Sequence, residues 1–518
     1  MIDRLRFARL AASLAAVATI LLPAAARADW FEASSPHFVI YGDVPNGKVL
    51  ERFVTNLERF HGAMAMVTGV TPEPVSRSNR VTIYGVGSQQ AVRKLYGERA
   101  MTKYVLGFYL PRAGRTVAFV PDITGDNDGM VSLPFKTLLH EYAHHFLISN
   151  SARLAPRWMD EGAAEFFSTA NFSAAGQVGV GRPNPKRLRE IVDARDVTVT
   201  DLLDPESYEK RRGKATGYDA FYGKSWLLYH YLNIDSARRG QLHAYLQGLA
   251  AGKASRVAAD AAFGNLDTLE REIDAYGRRP KLTGITIRAG VLPVGAVTIR
   301  SLRDSEVAVL PIMAQVDRRA EGRTNPADAV ATAEQARAVA ARFAQDTTVQ
   351  AVLAEAEFQA GNDAAALAAS DRAIAADPQS IRAHAVRLQT LYQLAAKSRA
   401  EVDLDTFRAA VVALNRLEND HPLPLILYHR SFAIQGKPAS AVAVSGLERA
   451  VELAPYALGL RMTLAMQHLR DGKMAAARAQ LSTVAFSAHQ NRVTEAARRL
   501  LERLDADPQW KGTPAIED

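Results

Sequence analysis

The 518-residue chain contains no cysteine. It can therefore form no disulfide, and no thiolate is available as a nucleophile or as a metal ligand. Any transition-metal ion held by side chains must be bound by histidine, aspartate or glutamate.

The sequence also lacks a glycine-rich phosphate loop, a serine nucleophile elbow and any stretch in which basic and aromatic residues interleave. These absences argue against nucleotide chemistry, a serine hydrolase and single-strand nucleic-acid binding. The net charge of +8 is spread along the chain without a block of lysine and arginine. We therefore expect no nucleic-acid partner. With 48% apolar and 23% charged residues, the composition is that of an ordinary globular protein.

The first 28 residues have the pattern of a secretory signal peptide. Arginines at positions 4, 6 and 9 precede an apolar run, residues 10–22, that is too short for a convincing membrane span. Ala26-Arg27-Ala28 is an A-x-A cleavage site, which makes Asp29 the expected first residue of the mature chain. We expect a periplasmic or secreted protein with no membrane span after cleavage; an uncleaved anchor is the alternative.

Residues 29 to about 125 alternate between strand and helix patterns, which predicts a small α/β layer with a mostly non-parallel sheet. Beyond the next two helices, residues 176–189 predict a flexible loop, and residues 282–316 are rich in β-branched residues and predict strands. The predicted early elements are strands at 37–41 and 80–84, a helix at 48–67 and a hairpin formed by 104–110 and 115–120. Further helices are expected near 219–233, 238–251 and 266–276.

From about residue 327 the chain is alanine-rich and helical, and it repeats. Gly436-Lys437 and Gly472-Lys473 lie 36 positions apart, close to the period of about 34 for tetratricopeptide units. The unit between 381 and 421 fits this period poorly, and a generic helical bundle is the alternative. We expect residues 327–510 to fold alone and to bind a peptide or protein partner.

These patterns divide the chain into five parts. They are a signal peptide (1–28), an α+β domain (29–280), a strand-rich connector (281–326), an all-α tetratricopeptide-like solenoid (327–510) and a tail (511–518).

The most informative motif is His140-Glu141-Tyr142-Ala143-His144, within a predicted helix at 134–149. His140 and His144 lie one helical turn apart, so both imidazoles can reach one ion. Glu141 is rotated by about 100° from His140 and can act on a water molecule without binding the metal. His145 is a rival ligand, but it lies on another face, and we expect it near the surface or behind the ligands.

A second predicted helix, residues 159–170, follows a break at Pro156 and supplies the acidic residues. Glu161 is the best third ligand, which leaves a fourth position open for water, as in catalytic zinc sites. Glu165 lies one turn further on the same face and can accept the second N–H of a ligand histidine. A lone H-E-x-x-H can also arise by chance on an amphipathic helix, where the histidines only pack.

The segments HEYAHH and PRWMDEGAAEFF resemble the peptidase MA-like, gluzincin-type zinc metallopeptidases. The resemblance covers about residues 30–280 and is specific only at the two helices. It implies an α+β zincin-like fold, Zn²⁺ bound by His140, His144 and Glu161, and Glu141 as general base and acid. It also implies that residues 115–120 form an edge strand along which a substrate peptide pairs. Helical repeats commonly accompany such bacterial peptidases.

A donor for the developing oxyanion is also required, and Tyr218 and Tyr222 are candidates because a similar tyrosine-bearing helix follows the zinc site in related enzymes. The alternative is that both tyrosines pack in a helical core. The sequence thus predicts an exported zinc metallopeptidase that hydrolyses a peptide or protein, with repeats that recruit a partner or the substrate. The alternatives are an exported binding or assembly protein with a catalytically weak zinc domain, and a zinc hydrolase directed at cell-wall peptide.

Overall fold

The structure is a computed structural model. The described residues are 29–97, 105–123, 126–127, 130–150, 155–194, 196–204, 208, 219–319, 325–398, 404–485, 487, 492–507 and 510. The predicted signal peptide, the tail and Tyr218 lie outside them. In this part of the chain, no helix combines the length and the apolar character that crossing a membrane requires.

The described strands lie mainly in the N-terminal half of the chain. They are β1 (Asp29–Ser34), β2 (Phe38–Val44), β3 (Val81–Gly85), β4 (Phe108–Leu110), β5 (Thr116–Val120), β6 (Asp126–Asn127), β7 (Met130–Val131), β8 (Asn171–Phe172), β9 (Val178–Val180), β10 (Ile285–Ile287) and β11 (Thr298–Ser301).

The described α-helices of the N-terminal part are α1 (Gly47–Thr68), α2 (Gln89–Tyr96), α3 (Leu133–Ser149), α4 (Arg157–Phe167), α5 (Pro185–Asp193), α6 (Val199–Leu203), α7 (Phe221–Ile234), α8 (Gln241–Ala250), α9 (Ser255–Phe263), α10 (Leu266–Gly277) and α11 (Asp304–Arg318). Those of the C-terminal part are α12 (Pro326–Arg342), α13 (Thr347–Gln359), α14 (Asp363–Ala376), α15 (Ile381–Ser398), α16 (Leu404–Leu417), α17 (Pro422–Ile434), α18 (Ala441–Leu453), α19 (Leu458–Arg470), α20 (Met474–Ala485) and α21 (Arg492–Ala506).

A six-stranded sheet with the order β11-β1-β2-β3-β5-β4 organises the N-terminal part. β2 and β5 flank β3 in parallel, and the other neighbouring pairs are antiparallel. The sheet is therefore mixed, with antiparallel pairs in the majority, close to the predicted arrangement. Residues 115–120 were expected at the edge, and this expectation is wrong. β5 uses both of its hydrogen-bonding edges, one on β3 and one on β4, so β4 is the edge strand.

Both faces of this sheet are covered. On one face Ile83 and Val120 pack in a core with α1, α3 and α4. On the other face Tyr84, Val117 and Phe119 pack in a second core with α11 and the first repeat helices. Successive residues of a strand point to opposite faces, which explains why β5 is buried at every position. The repeats therefore form a layer of the same body.

Two predictions for loops and strands are wrong. The segment expected as a flexible loop, 176–189, contains β9 and the start of α5, which Asn184 caps by accepting from the Arg187 N–H. The expected strand-rich connector contains β10 and β11, but from Asp304 it forms α11 instead. The β-branched residues there recur at helical spacing, and Val309 and Val316 face the second core.

The C-terminal part consists of consecutive helices packed as hairpins, including α15 and α16 in the segment that fitted the period poorly. Gly361, Gly436 and Gly472 each follow the first helix of a hairpin with a left-handed backbone, at φ values of 81°, 63° and 72°. Glycine adopts this conformation at no steric cost, which explains the recurring glycines of the sequence. The helical-repeat prediction is confirmed at this level.

Candidate metal centre

The helix α3, here called the motif helix, is positioned by its N-terminus and by its apolar face. The Ser132 side chain caps it by accepting from the Phe135 N–H at 3.3 Å, and Pro134 occupies the first turn. Leu139 and Phe146 are buried in the core beneath the sheet. The opposite face, which carries His140 and His144, is directed toward α4.

The helix α4, here called the acidic helix, is held by close packing against α7. Gly162 lies so close to α7 that a Cβ atom there would be 2.4 Å from the Ser225 carbonyl oxygen. Trp158 donates its indole N–H to Tyr245 Oη at 3.3 Å. Only glycine permits this approach, and the approach fixes the position of the adjacent Glu161.

His140, His144 and Glu161 meet in one triangle of atoms. The two Nε2 atoms are 3.2 Å apart, and Glu161 Oε2 lies 3.6 Å from His140 Nε2 and 3.5 Å from His144 Nε2. Ligands at about 2.0–2.1 Å from a tetrahedral zinc ion are separated by about 3.3 Å. The triangle therefore has the size of one face of a zinc tetrahedron, and the fourth corner is free of protein ligands among the described residues.

The carboxylates behind the histidines explain which ring atoms face the triangle. Asp160 Oδ1 lies 3.0 Å from His144 Nδ1, and Glu165 Oε1 lies 3.4 Å from His140 Nδ1. Carboxylates at these positions favour a proton on Nδ1, which leaves both Nε2 atoms available to a metal ion. Each imidazole thus has a carboxylate beside its Nδ1 and its Nε2 in the triangle.

The electrostatics of the triangle also fit a cation. Glu161 Oε2 is buried and has no hydrogen-bond partner of good geometry. Burial alone would raise the pKa of Glu161, but the neighbouring His140 and His144 outweigh it and hold the pKa well below its ordinary value. An anionic oxygen and two imidazole nitrogens thus face one another in a buried space, and a metal ion that takes the place of the Nε2 protons would satisfy all three.

Glu165 is fixed by two residues that sequence reasoning missed. Arg187 donates to its Oε1, and Asn184 donates to its Oε2 at 3.0 Å. Burial raises the pKa of Glu165, but the hydrogen bond and the charge of Arg187 lower it by more. The pKa of Glu165 therefore lies below its ordinary value. Glu165 is therefore ionised, with its Oε1 3.4 Å from His140 Nδ1.

Tyr222 is near the ligand set, although on the far side of Glu161. Its hydroxyl donates to Glu161 Oε1 at 3.4 Å, while Oε2 faces the histidines. Burial and the charge of Glu161 raise the pKa of Tyr222, so its hydroxyl is a proton donor at neutral pH. Tyr218, the other predicted donor, falls outside the described residues.

Arg157 is a further residue that the sequence did not single out. Its guanidinium lies 4.2 Å from the Phe221 ring centroid, beside Tyr222, and its Nε and Nη1 atoms are buried without hydrogen-bond partners. The only sequence signal is its position one helical turn before Glu161. It adds a fixed positive charge beside Glu161 and Tyr222.

Glu141 lies at the edge of the sheet. It lines a small cavity of about 10 Å³ with Gly107, Tyr109 and Phe119. The residue is thus next to β4, the edge strand.

His145 takes no part in the triangle. Its Nδ1 is hydrogen-bonded to the Tyr109 hydroxyl, and its ring lies 4.8 Å from that of Tyr456 in the repeats. Burial lowers the pKa of His145 to about 3, so it is neutral. The side chain lies between the motif helix and the repeats instead of at the surface.

Comparison with known proteins finds a family match for one segment of the chain, and this match gives no activity. Residues 135–254 match a family described as a protein of unknown function, DUF1570. The matched segment includes the motif helix, the acidic helix and Tyr222. No curated protein matches the chain.

Among solved structures, a thermophilic TPR protein from Thermus thermophilus is similar to this chain at 16% identity, with a TM-score of 0.30. The match covers 34% of this chain and 92% of that protein. This TM-score is too low to support an argument about fold, so the description of the repeats rests on their own helical hairpins.

Proposed function

We propose that this protein is an exported zinc-dependent metallopeptidase that hydrolyses peptide bonds. The observation that carries the proposal is the triangle formed by His140 Nε2, His144 Nε2 and Glu161 Oε2, with sides of 3.2 to 3.6 Å. Its open fourth corner distinguishes it from a closed structural zinc site. The predicted signal peptide supports action in the periplasm or outside the cell.

The residues of the proposed site have separate roles. His140, His144 and Glu161 hold the ion; a bound Zn²⁺ polarises a carbonyl oxygen and makes water a nucleophile near neutral pH. Glu141 takes a proton from the attacking water and delivers it to the leaving amine. Asp160 and Glu165 orient the two imidazoles.

Tyr222 and Arg157 are the groups proposed to stabilise the oxyanion. The Tyr222 hydroxyl and the Arg157 guanidinium both lie beside Glu161, one as a neutral donor and the other as a fixed charge. Donors aimed at the developing charge are among the largest contributions to such catalysis.

The substrate is proposed to bind as an extended peptide along β4. This strand pairs only with β5 and therefore leaves one hydrogen-bonding edge open among the described residues. Glu141 lies next to it. Backbone pairing of this kind gives affinity without sequence specificity, so we expect broad cleavage with preferences set by side-chain pockets.

The Glu141→Gln variant tests hydrolysis separately from metal binding. We expect the purified mature protein to contain one zinc ion per chain and to cleave members of an unbiased peptide library. Glu141→Gln should retain the zinc and lose cleavage by at least about 100-fold. The matched control is Glu51→Gln, at an exposed position of α1.

Unchanged cleavage in Glu141→Gln would overturn the assignment of the base. Zinc binding without any cleavage, in both the mature protein and the control, would favour the alternative function, an exported binding or assembly protein with a catalytically weak zinc domain.

A further inference from the structure

A cavity of about 1030 Å³ lies between the N-terminal part and the last repeats, on the opposite side of the motif helix from the metal ligands. Tyr142, His145 and Phe146 of the motif helix form one wall, and Tyr456 and Leu464 of the repeats form part of the other. Its volume is at the upper end of the range for organic-ligand sites, about 300–1,000 Å³. It is far larger than a simple ion needs.

Arg461 gives this cavity its chemical character. The residue is only 5% exposed and lines the cavity. Its Nε donates to the Pro455 carbonyl at 2.6 Å and its Nη1 to Gln480 Oε1 at 3.0 Å, both neutral acceptors. In the described part of the chain, no carboxylate pairs with this guanidinium, and burial lowers its pKa. Burial of an arginine without a counter-ion is costly.

His468 adds an unpartnered donor or acceptor to the same wall. It lines the cavity, is 5% exposed, and its Nδ1 is buried without a hydrogen-bond partner. It lies on α19 two turns beyond Arg461, so both side chains project from one face of that helix. Two buried polar side chains thus line one large cavity, and a ligand with complementary polar atoms would suit that wall.

The carboxylates that line the cavity do not neutralise Arg461. Asp420 and Glu452 both pair with Arg449, which is half exposed at the rim, and Glu448 lies 3.9 Å from Lys473. These three carboxylates are thus engaged with cations of their own, and the fourth, Glu73, is exposed to solvent. Arg461 is the lining cation that has no carboxylate partner among the described residues.

We propose that this cavity binds an extended peptide by its C-terminal carboxylate, which pairs with Arg461 while the aromatic and apolar walls hold the residues before it. A carboxylate is the natural partner of a guanidinium because it accepts two parallel N–H bonds. The inference deepens the expectation from the sequence that the repeats bind a peptide or protein, and it does not require hydrolysis at the metal centre.

The test compares two peptide pools on the immobilised full-length mature protein. One pool contains random hexapeptides with free C-terminal carboxylates, and the other contains the same peptides as C-terminal amides. The protein carries Glu141→Gln in all arms so that turnover cannot consume the peptides. Retained peptides are counted by mass spectrometry, and acetate and inorganic phosphate serve as simple anion probes.

We expect the free-carboxylate pool to be retained at least about tenfold better than the amide pool. The added substitution Arg461→Gln should remove this preference. Arg408→Gln replaces an exposed arginine that does not line the cavity, so it should leave the preference intact.

Equal retention of both pools would overturn the proposal, as would a preference that survives Arg461→Gln. Displacement of the peptides by millimolar acetate or phosphate would also overturn it, because the site would then be one for simple anions. Thermal melting without peptide completes the test. Arg461→Gln should melt at or above the temperature of the unsubstituted protein if the arginine serves a ligand, whereas a large decrease would assign it a structural role instead.

Discussion

Asp160 Oδ1 lies 3.0 Å from His144 Nδ1, on the side of the imidazole opposite the Nε2 atom that faces Glu161. Asp160 and Glu161 are neighbours on the acidic helix, so one helix supplies both a proposed metal ligand and the carboxylate beside the second ring nitrogen of His144. This relationship makes the site depend on Asp160 almost as strongly as on the ligands themselves.

Asp160→Asn should weaken zinc binding by about 10–100-fold, because loss of the carboxylate removes the charge that holds the His144 proton on Nδ1. Competition with a zinc chelator measures the change. Asp267→Asn, at an exposed position of α10, is the control and should bind zinc normally. Equal zinc affinity in both variants would show that Asp160 does not orient His144.

Gly162→Ala should lower the free energy of unfolding by about 1–3 kcal/mol, because the new methyl group meets the Ser225 carbonyl and forces α4 and α7 apart. Zinc affinity should fall with it, since Glu161 moves. Gly459→Ala is the matched control: a Cβ there meets nothing within 4 Å, and in a helix alanine stabilises by up to about 1 kcal/mol. Urea unfolding of both variants measures the difference, and equal effects would contradict the close-packing argument.

The stability should fall as the pH decreases from about 6.5 to about 4. Burial lowers the pKa of His230 to about 4 and that of His61 to about 3. Between these values and the unfolded pKa of about 6.5 the unfolded chain binds more protons, so stability rises with pH through this window and is lost on acidification. The His230 share is on the order of 3 kcal/mol.

His230→Gln should flatten this pH dependence, because its neutral amide takes up no proton in either state. The native ring is fully engaged, with Nε2 on the Gly181 carbonyl and Nδ1 on the Tyr276 hydroxyl, each at 2.8 Å. His243→Gln, at an exposed site, should leave the slope unchanged. Unfolding free energies between pH 4 and 8 measure the slopes; the same slope in all three proteins would refute the assignment.

The repeats should unfold together with the sheet and not as a separate domain. Asp317 of α11 accepts from Tyr84 in the sheet and from Arg382 in the repeats, and Arg115 at the start of β5 bridges Asp317 and Glu355. Asp317→Ala removes one of the two carboxylates that pair with Arg115 and Arg382 and should lower the free energy of unfolding by about 3–5 kcal/mol.

Asp405→Ala is the control. It removes an exposed ion pair with Arg408 and should lower the free energy of unfolding by less than about 1 kcal/mol. Differential scanning calorimetry should show one transition for the unsubstituted protein. Two well-separated transitions would instead support the prediction from the sequence that residues 327–510 fold alone.

The sequence could place His140, His144 and Glu161 together because their geometry is local. His140 and His144 are one turn apart on a helix, and Glu161 opens the next helix. The residues that contact these side chains from the other side were harder to predict from the sequence. Glu165 followed from helical spacing, but Arg187 reaches it across 22 residues of sequence through a segment that composition alone predicted to be a loop.

The position of the edge strand was not predictable, because it depends on strand order. The hairpin of β4 and β5 was recognised, but which of its strands lies outermost is set when β5 pairs with β3. In the same way, Val309 and Val316 suggested strand by their β-branched side chains. Their burial against the sheet instead selects a helix, where tertiary packing outweighs intrinsic propensity.

The central claim is that three side chains hold one zinc ion and leave its fourth coordination position open. Anomalous X-ray diffraction at the zinc absorption edge, on crystals of the mature protein, tests it most directly. The account predicts one strong anomalous peak within about 2.2 Å of His140 Nε2, His144 Nε2 and a Glu161 carboxylate oxygen, and its loss in Glu161→Gln. A zinc-loaded crystal without a peak at this triangle, or a peak unaffected by Glu161→Gln, would contradict it.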